Sequence, residues 1–364
     1  MGISRRGRSI PATAGAALAI LLHTVAATPA LAAQEWAVDP APLTRVGGGE
    51  LPLDRVVGAL LTSSGHLVVA DGAQRIVVLS RSGQVDTIFG ASGGGPGEFR
   101  AIAWIQERAP DSIVAYDRAL RRATIFSIHD GFARTLALEP GERGLGVPEL
   151  LAILDDGTLL ARRTSALAAT PRDGSGLVRP THQIGVYNPA GTPLDTIGTV
   201  VGDERAVMEG VLLNPPHLKK TYIAVRDRTV YVADGETFTL RVYDLDTGAE
   251  RTLRRPHEPV AIPDPDPGSR TGAQARMPAP THFPAVGGLV IDDAGNIWVG
   301  AYPTDPAAAQ AWSVFDGAGG LLAEVAMPPG FQPLSIRGEL IAGIWRDELD
   351  VEHVHVHRYH RSPS

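Results

Sequence analysis

Short strand-like runs recur along the chain, and a turn introduces each one. The six runs are HLVVAD (66–71), SIVAYD (112–117), TLLARR (158–163), TVYVAD (229–234), IWVGAY (297–302) and ELIAGIW (339–345). A second run follows each of them, namely RIVVLS (75–80), RATIFSI (122–128), HQIGVY (182–187), LRVYDL (240–245), AWSVFD (311–316) and VEHVHVHRY (351–359). A repeat of this kind predicts a fold built from copies of one small unit.

Each unit contains four strands joined by tight turns, because further strand-like segments flank the two runs. Gly83, Gly131 and Gly191 occupy the turn after the second run, where glycine supplies positive φ without steric cost. A lone four-stranded sheet cannot bury both faces, whereas about six sheets stacked around an axis do. A β-sandwich does not predict the same strand order in every unit. We therefore predict an all-β fold, a six-bladed β-propeller with four antiparallel strands in each blade.

The sixth unit lacks a fourth strand, since only five residues follow Tyr359. The segment 43–47, Leu-Thr-Arg-Val-Gly, is similar to the fourth-strand endings 87–90 and 196–198. We predict that this N-terminal strand completes the last blade, which would close the ring and remove two open sheet edges. The alternative is an N-terminal linker outside the fold.

Two long connections, 163–180 and 255–280, interrupt the repeat. Both are rich in Pro, Gly, Ala and Arg and lack a sustained periodicity, which predicts loops. The repeat resumes after each connection, so we interpret them as insertions within one domain. The segment from Glu204 to Glu209 is a candidate for a short helix.

The N-terminus has the pattern of an export signal. Arg5, Arg6 and Arg8 precede an apolar stretch over 14–25 and an A-x-A site at 30–32. This order predicts a signal peptide over residues 1–32 and a mature domain over residues 33–364. The apolar stretch is shorter than the roughly 20 residues that a spanning helix needs, which disfavours a membrane anchor. We expect a soluble exported protein, either periplasmic or extracellular.

Charge and composition disfavour several functions. Three of the 33 basic residues lie in the signal, so the mature chain has 30 basic and 40 acidic residues, a formal charge of −10. The two lysines are Lys219 and Lys220, and no basic run occurs, so nucleic acid is not an expected partner. Cys is absent, which excludes disulfides and thiolate chemistry. We predict a monomer without a cofactor and without a membrane span in the mature chain.

Several segments resemble a known repeat. Residues 70–102 resemble an NHL repeat, with Ala-Asp, then Arg-Ile and a hydrophobic residue, then the loop GGGPGEF. Residues 290–302 are similar to the next segment of that repeat, and residues 312–331 and 343–359 resemble exported six-bladed propellers of unassigned function. The resemblance covers essentially all of the mature chain and implies an NHL-like or TolB-like propeller. It implies no activity, since this architecture hosts scaffolds, receptors, lyases and lactonases.

Two segments invite a chemical role, and for both we favour a structural one. The glycine-dense loop 93–99 lacks the following helix and the Lys-Ser/Thr of a phosphate cradle, so we predict a crossover with Phe99 packed between blades. His353, His355 and His357 share one strand face. The outer two lie about 13 Å apart, too far to share one metal ion. We predict a polar blade face near the N-terminal strand and no metal.

Acidic residues cluster at several turns. The segment 345–350 lacks the spacing and the glycine of a calcium-binding loop, so we predict a charged hairpin, with an ion pair of Arg346 as one option. We give the Pro-rich pair Asp264 and Asp266, and the pair at 292–293, the same structural interpretation.

The residues that lead into the first strand of each unit would meet at one mouth of the central channel. They are Arg55, Arg100, Glu149, Lys220, His282 and Gln332. Three cations against one carboxylate would favour an anionic group through charge-assisted hydrogen bonds. Glu149 and His282 are the candidate metal ligands among them, a small set for an enzyme. The alternative is that several of the six form ion pairs between blades.

Two functions are therefore open. The first is a non-catalytic exported propeller that binds a protein, a peptide, a glycan or a small anion on one face. The second is a metal-dependent hydrolase of the lactonase kind, or a lyase, with its site in the axial channel. The small set of candidate metal ligands favours the first function.

We expect the exported protein to begin near Ala33, because cleavage after Ala32 or Ala33 satisfies the small-residue rule of signal peptidase sites. N-terminal sequencing of protein recovered outside the cytoplasm measures the cleavage position. Exported protein that still carries Arg5 and Arg6 would contradict the expectation.

Overall fold

A computed structural model describes residues 34–49, 51–137, 148–164, 174–263 and 276–361. The predicted signal peptide over 1–32 and the acidic pair Asp264 and Asp266 lie outside these residues. Every element assigned within the described ranges is a β-strand. In this part of the chain no helix has the length and apolar character needed to span a membrane.

Two short strands open the described chain, β1 (Gln34–Val38) and β2 (Thr44–Val46). Two antiparallel sheets of four strands follow. The first consists of β3 (Val56–Leu61), β4 (Leu67–Asp71), β5 (Ile76–Leu79) and β6 (Val85–Phe89). The second consists of β7 (Ile102–Ala109), β8 (Ser112–Asp117), β9 (Arg122–Ser127) and β10 (Gly131–Ala137). In both sheets the strands pair in chain order, as the repeat predicts.

The third and fourth sheets repeat this plan. The third consists of β11 (Glu149–Ile153), β12 (Leu159–Thr164), β14 (Thr181–Tyr187) and β15 (Pro193–Val201). The fourth consists of β18 (Thr221–Arg226), β19 (Thr229–Asp234), β20 (Thr239–Asp244) and β21 (Glu250–Arg254). A separate three-stranded sheet is formed by β13 (Gly176–Val178), β16 (Arg205–Met208) and β17 (Val211–Leu213).

The three-stranded sheet corrects two predictions. The segment 204–209 is not a helix, because β16 forms a hairpin with β17 and also pairs with β13. Glu209 and Gly210 connect the hairpin with φ of 52° and 81°, the two positive values that a tight two-residue hairpin turn requires. The connection 163–180 is not wholly a loop, since β13 lies within it.

The last two sheets are joined by the N-terminal segment. The fifth sheet consists of β22 (Val286–Ile291), β23 (Ile297–Ala301), β24 (Gln310–Phe315) and β25 (Leu321–Met327), and the sixth of β26 (Phe331–Arg337), β27 (Leu340–Arg346) and β28 (Glu352–His360). Strand β1 runs parallel to β25 and antiparallel to β28. Strand β2 pairs antiparallel with β28, with Thr44 opposite Val356. The segment 43–47 therefore lies beside the last strand of the sixth unit.

The second strand of a unit is apolar on both faces because both faces are covered. Val68 and Val69 of β4 are completely buried. Val68 belongs to a core shared with the second sheet, and Val69 belongs to a core that contains Ala342 and Val354 of the sixth sheet. The first and last sheets of the chain are therefore in contact. Repeated four-stranded antiparallel sheets that pack face to face in this way are consistent with a β-propeller.

Polar contacts tie different sheets together near the ends of their first strands. The Arg337 guanidinium lies 2.9 Å from the Glu107 carboxylate, which also accepts a hydrogen bond from the backbone N–H of Ser63 at 2.8 Å. Arg226 donates to the carbonyl oxygen of Asp293 at 2.7 Å. The opposite ends, where the first strands begin, carry the cavities described below.

Replacing Trp36 with Ala should lower the free energy of unfolding by about 3–5 kcal/mol, the usual cost of truncating a buried aromatic residue. Trp36 of β1 is buried, and its ring lies 5.6 Å from Trp298 and 5.7 Å from Tyr359. Chemical denaturation measures the change. The matched control is Leu194→Ala, since that side chain is 63% exposed. Equal stabilities of the two variants would contradict the role of β1.

Candidate functional site

A cavity of about 480 Å³ lies where the first strands of the first four sheets begin. Its lining includes Arg55, which directly precedes β3, and Glu149, the first residue of β11. Ile102 of β7 and Tyr222 of β18 also line it. The structure therefore brings together two of the six residues that the sequence predicts at a common mouth.

Glu149 forms an ion pair with Arg162 on the neighbouring strand. The two residues lie opposite each other in β11 and β12, so their side chains leave the same face of the sheet. Arg162 Nη2 lies 2.8 Å from Glu149 Oε2, and Arg162 Nε donates to the same oxygen at 2.9 Å. This pairing holds one guanidinium at the cavity wall.

Arg55 and Arg118 line the same cavity without such a partner. No ion pair between the described residues includes either side chain. The neighbouring Asp117 is completely buried, and backbone groups occupy its carboxylate. Its Oδ2 accepts from the N–H of Arg100 at 2.6 Å and its Oδ1 from the N–H of Leu120 at 2.8 Å. Asp117 therefore stabilises the turn and forms no ion pair with Arg55 or Arg118.

The charges in this cavity favour an anion. Three guanidinium groups, those of Arg55, Arg118 and Arg162, face one carboxylate, that of Glu149. Side chains such as Trp104 form part of the wall, and Arg55 and Arg118 are exposed at the cavity. A carboxylate, sulfate or phosphate group could accept charge-assisted hydrogen bonds from the two unpaired guanidinium groups.

Lys220 and Gln332 line an adjoining cavity of about 450 Å³. Tyr222 lines this cavity, the first one, and a third of about 500 Å³ that Lys220 also borders. Burial raises the pKa of Tyr222, so its hydroxyl stays protonated at neutral pH and can donate a hydrogen bond. Tyr222 is thus a wall common to all three cavities.

Arg100 and His282 do not line these cavities. The backbone of Arg100 is held by Asp117, while its guanidinium lies beside Gly94. His282 is exposed and forms an isolated backbone bridge with Ala261. Four of the six predicted residues therefore border two adjoining cavities, and these two lie elsewhere.

Sequence reasoning misses Arg118 and Arg162. A signal for Arg162 is present, because the run 158–163 ends in two arginines where the runs 66–71 and 112–117 end in Ala-Asp and Tyr-Asp. Arg162 lies at the cavity because it is opposite Glu149 in the pairing of β11 with β12. The sequence alone does not give that register. Arg118 follows its run directly, and only the contact between the first two sheets shows that it reaches the same cavity as Arg55.

The glycine-dense loop 93–99 has a structural role. Phe99 is completely buried in the core between the first and second sheets, as predicted. Glu98 accepts a hydrogen bond from the backbone N–H of Gly95 at 2.7 Å, and Arg122 donates to the carbonyl oxygen of Glu98 at 2.9 Å. The polar groups of the loop therefore take part in hydrogen bonds within the fold.

The histidines of β28 lie beside the N-terminal segment, as predicted. His355 and His357 are buried. The His355 ring stacks on Trp345 at a centroid distance of 4.8 Å, and His357 Nδ1 lies 2.8 Å from the carbonyl oxygen of Asp39. Among the described residues, no group of three or more His, Asp or Glu is arranged to hold a metal ion.

The buried histidine row resists protonation. Burial, followed by the neighbouring His357, Arg45 and His353, lowers the pKa of His355 to about 4. Burial also lowers the pKa of His357, although Asp39 opposes that shift. Arg45 lies opposite His355 in the pairing of β2 with β28. Both rings are therefore neutral in the folded protein at neutral pH.

The acidic hairpin after β27 is charged and paired internally. Arg346 Nη2 lies 2.6 Å from Glu352 Oε1, and Arg346 Nε lies 3.6 Å from Asp350. Asp347 accepts hydrogen bonds from the backbone N–H groups of Leu349 and Val351, each at 2.9 Å. These contacts confirm the predicted ion pair of Arg346 and the structural interpretation of the segment.

No family model matches the chain, and no curated protein matches it. Among solved structures, it is similar to a Bacteroides fragilis protein thought to be exported, with 13% identity over 90% of this chain and 96% of that one, and a TM-score of 0.49. It is similar to BamB from Moraxella catarrhalis, with 14% identity over 88% and 93% of the chains and a TM-score of 0.39. It is also similar to a luciferin-regenerating enzyme, with 14% identity over 84% of this chain and 91% of that one, and a TM-score of 0.44. Each of these TM-scores is below 0.5.

Acid should destabilise the protein because buried His355 and His357 have lowered pKa values in the folded state. Below the ordinary histidine pKa of about 6.5 the unfolded chain binds protons that folded His355 does not bind until about pH 4. As the pH is lowered from about 6.5 to about 4, the free energy of unfolding should therefore fall. The decrease should reach up to about 1.4 kcal/mol per pH unit for each such histidine. Replacing His355 with Phe keeps a ring against Trp345 and should flatten the slope. Equal slopes for variant and parent, from denaturation at several pH values, would contradict this expectation.

Proposed function

We propose that the mature chain, residues 33–364, is one exported, monomeric domain in which the six sheets form a closed six-bladed propeller of the NHL or TolB type. The shared core of the first and sixth sheets supports the closed ring. The pairing of β2 with β28 supports the assignment of the N-terminal segment to the sixth blade. The type of propeller rests on the sequence resemblance of residues 70–102.

We propose further that the domain binds a small organic anion at the mouth where the first strands begin. The observation that carries this proposal is the pair of unpaired guanidinium groups, Arg55 and Arg118, in one cavity with Arg162. Arg55 and Arg118 are both exposed and therefore accessible to a ligand. The cavity of about 480 Å³ falls in the range of about 300–1,000 Å³ that organic ligands occupy. It is larger than a sulfate or phosphate ion requires.

The enzyme alternative has weaker support. A metal-dependent hydrolase or lyase would need several free ligands around the axis. The carboxylate that lines the first cavity belongs to Glu149, and Arg162 already holds it at 2.8 Å. His282, the other candidate ligand of the sequence, is exposed elsewhere. Metal analysis of the purified protein tests this alternative, and about one tightly held divalent ion per chain would favour it.

Arg55→Gln and Arg118→Gln should each weaken anion binding about tenfold or more, because a hydrogen bond to a charged group contributes about 1.5–3 kcal/mol. Isothermal titration with succinate, citrate, sulfate and D-glucuronate measures the affinities. Binding to the parent should also weaken as salt is added, since screening reduces the attraction at an open cavity.

The matched control is Arg134→Gln, which removes the same charge from an exposed position on β10. It should bind anions as the parent does, and all three variants should unfold as cooperatively as the parent. No measurable anion binding by the parent, or an equal loss in Arg134→Gln, would overturn the proposal.

A further inference from the structure

We propose that the ligand is an acidic oligosaccharide with one uronic acid. Its carboxylate lies against the guanidinium groups of the first cavity, and the next, neutral sugar lies in the adjoining cavity of about 450 Å³. The inference rests on the proposed function, because the carboxylate is the anchor. It adds a second subsite and a chemical class for the part of the ligand beyond the anion.

The two cavities adjoin at Tyr222, which lines both. A ligand held by its carboxylate at Arg55 and Arg118 would have to extend past this ring into the second cavity. The second cavity alone is large enough for an organic group, by the usual range for ligand sites. An inorganic anion or a short carboxylic acid would leave it unused.

The second cavity presents an oriented aromatic ring. Tyr302 lines it, and the ring stacks on Phe283 at a centroid distance of 6.0 Å. The Tyr302 hydroxyl lies 2.9 Å from His217 Nδ1. These two contacts restrict the ring to one orientation. An aromatic ring of this kind offers an apolar face and a polar edge, which matches a sugar with a C–H face and a rim of hydroxyls.

The remaining lining is polar and balanced in charge. Lys220 and Arg346 face Asp347 and Asp350, two cations against two carboxylates. Gln332 has no side-chain hydrogen bond to another described residue, so its amide can both donate and accept. This balance suits a neutral, hydroxyl-rich group. It does not favour a second anion, and a polyanion would therefore gain little here.

Glycine keeps part of this cavity wall as bare backbone. A Cβ atom at Gly287 would lie 3.0 Å from the carbonyl oxygen of Ala301 and 3.0 Å from Tyr302 Cα, tighter than nine in ten real Cβ contacts. Gly330, with φ of 70°, lines the same cavity. Peptide groups without side chains allow the close approach of a sugar ring and supply further hydrogen-bonding atoms.

The test compares four probes by calorimetry: D-glucuronate, an aldobiouronic acid in which glucuronate is joined to xylose, the neutral disaccharide xylobiose, and N-acetyl-Ala-Glu-amide. The aldobiouronic acid should bind about tenfold tighter than glucuronate, from one or two additional hydrogen bonds and ring contact. Xylobiose should bind weakly, because it lacks the anchor.

Gln332→Ala and Tyr302→Leu should remove most of the tenfold advantage and leave the affinity for glucuronate unchanged. Gln332→Ala removes no observed contact within the described fold, so it remains informative if Tyr302→Leu fails to fold. Gln84→Ala, an exposed amide in a turn, is the matched control and should keep the advantage.

Three results would overturn proposals, and they are distinguishable. Glucuronate binding that Arg55→Gln does not change would overturn the proposed function itself. Glucuronate binding that depends on Arg55, with no gain for the aldobiouronic acid, would overturn the second subsite alone. A peptide affinity equal to that of the aldobiouronic acid would overturn the carbohydrate class.

Discussion

A sheet that is apolar on both faces needs a neighbour on each side, and this constraint organises the whole molecule. Val68 and Val69 are successive residues of β4, and they are buried in two different cores. The same alternation along each second strand forces each sheet to pack against the one before and the one after it. The first sheet meets this demand by packing against the last.

Because the sheet faces supply the packing, the strand ends are left for polar chemistry, and the two ends differ. Where first strands end, Arg337 is neutralised by Glu107 at 2.9 Å. Where they begin, Arg55 and Arg118 share a cavity with one carboxylate that Arg162 already occupies. At this second end Arg55 and Arg118 form no ion pair among the described residues and share their cavity with Arg162. That grouping is why we propose binding at the end where the strands begin.

The strands could be predicted from sequence because burial on both faces leaves apolar runs. The run 66–71, for example, corresponds to β4. The hairpin of β16 and β17 could not, because its short segments have no clear period and its turn depends on a positive φ at Glu209. Arg55 and Glu149 were found from their place at the start of a first strand. Placing Arg162 at the cavity required the register between β11 and β12. Arg100 does not line the cavity, because Asp117 holds its backbone while its guanidinium lies beside Gly94.

The position of β1 has a consequence for the order of events during synthesis. Val38 pairs with Tyr359, close to the last residue described. A ribosome therefore makes the first strand of the domain long before its partner exists, and Trp36 has no Tyr359 to stack on until the sixth unit emerges. Pairings this distant in sequence form slowly. An almost finished chain thus exposes apolar faces of both its first and its fifth sheets.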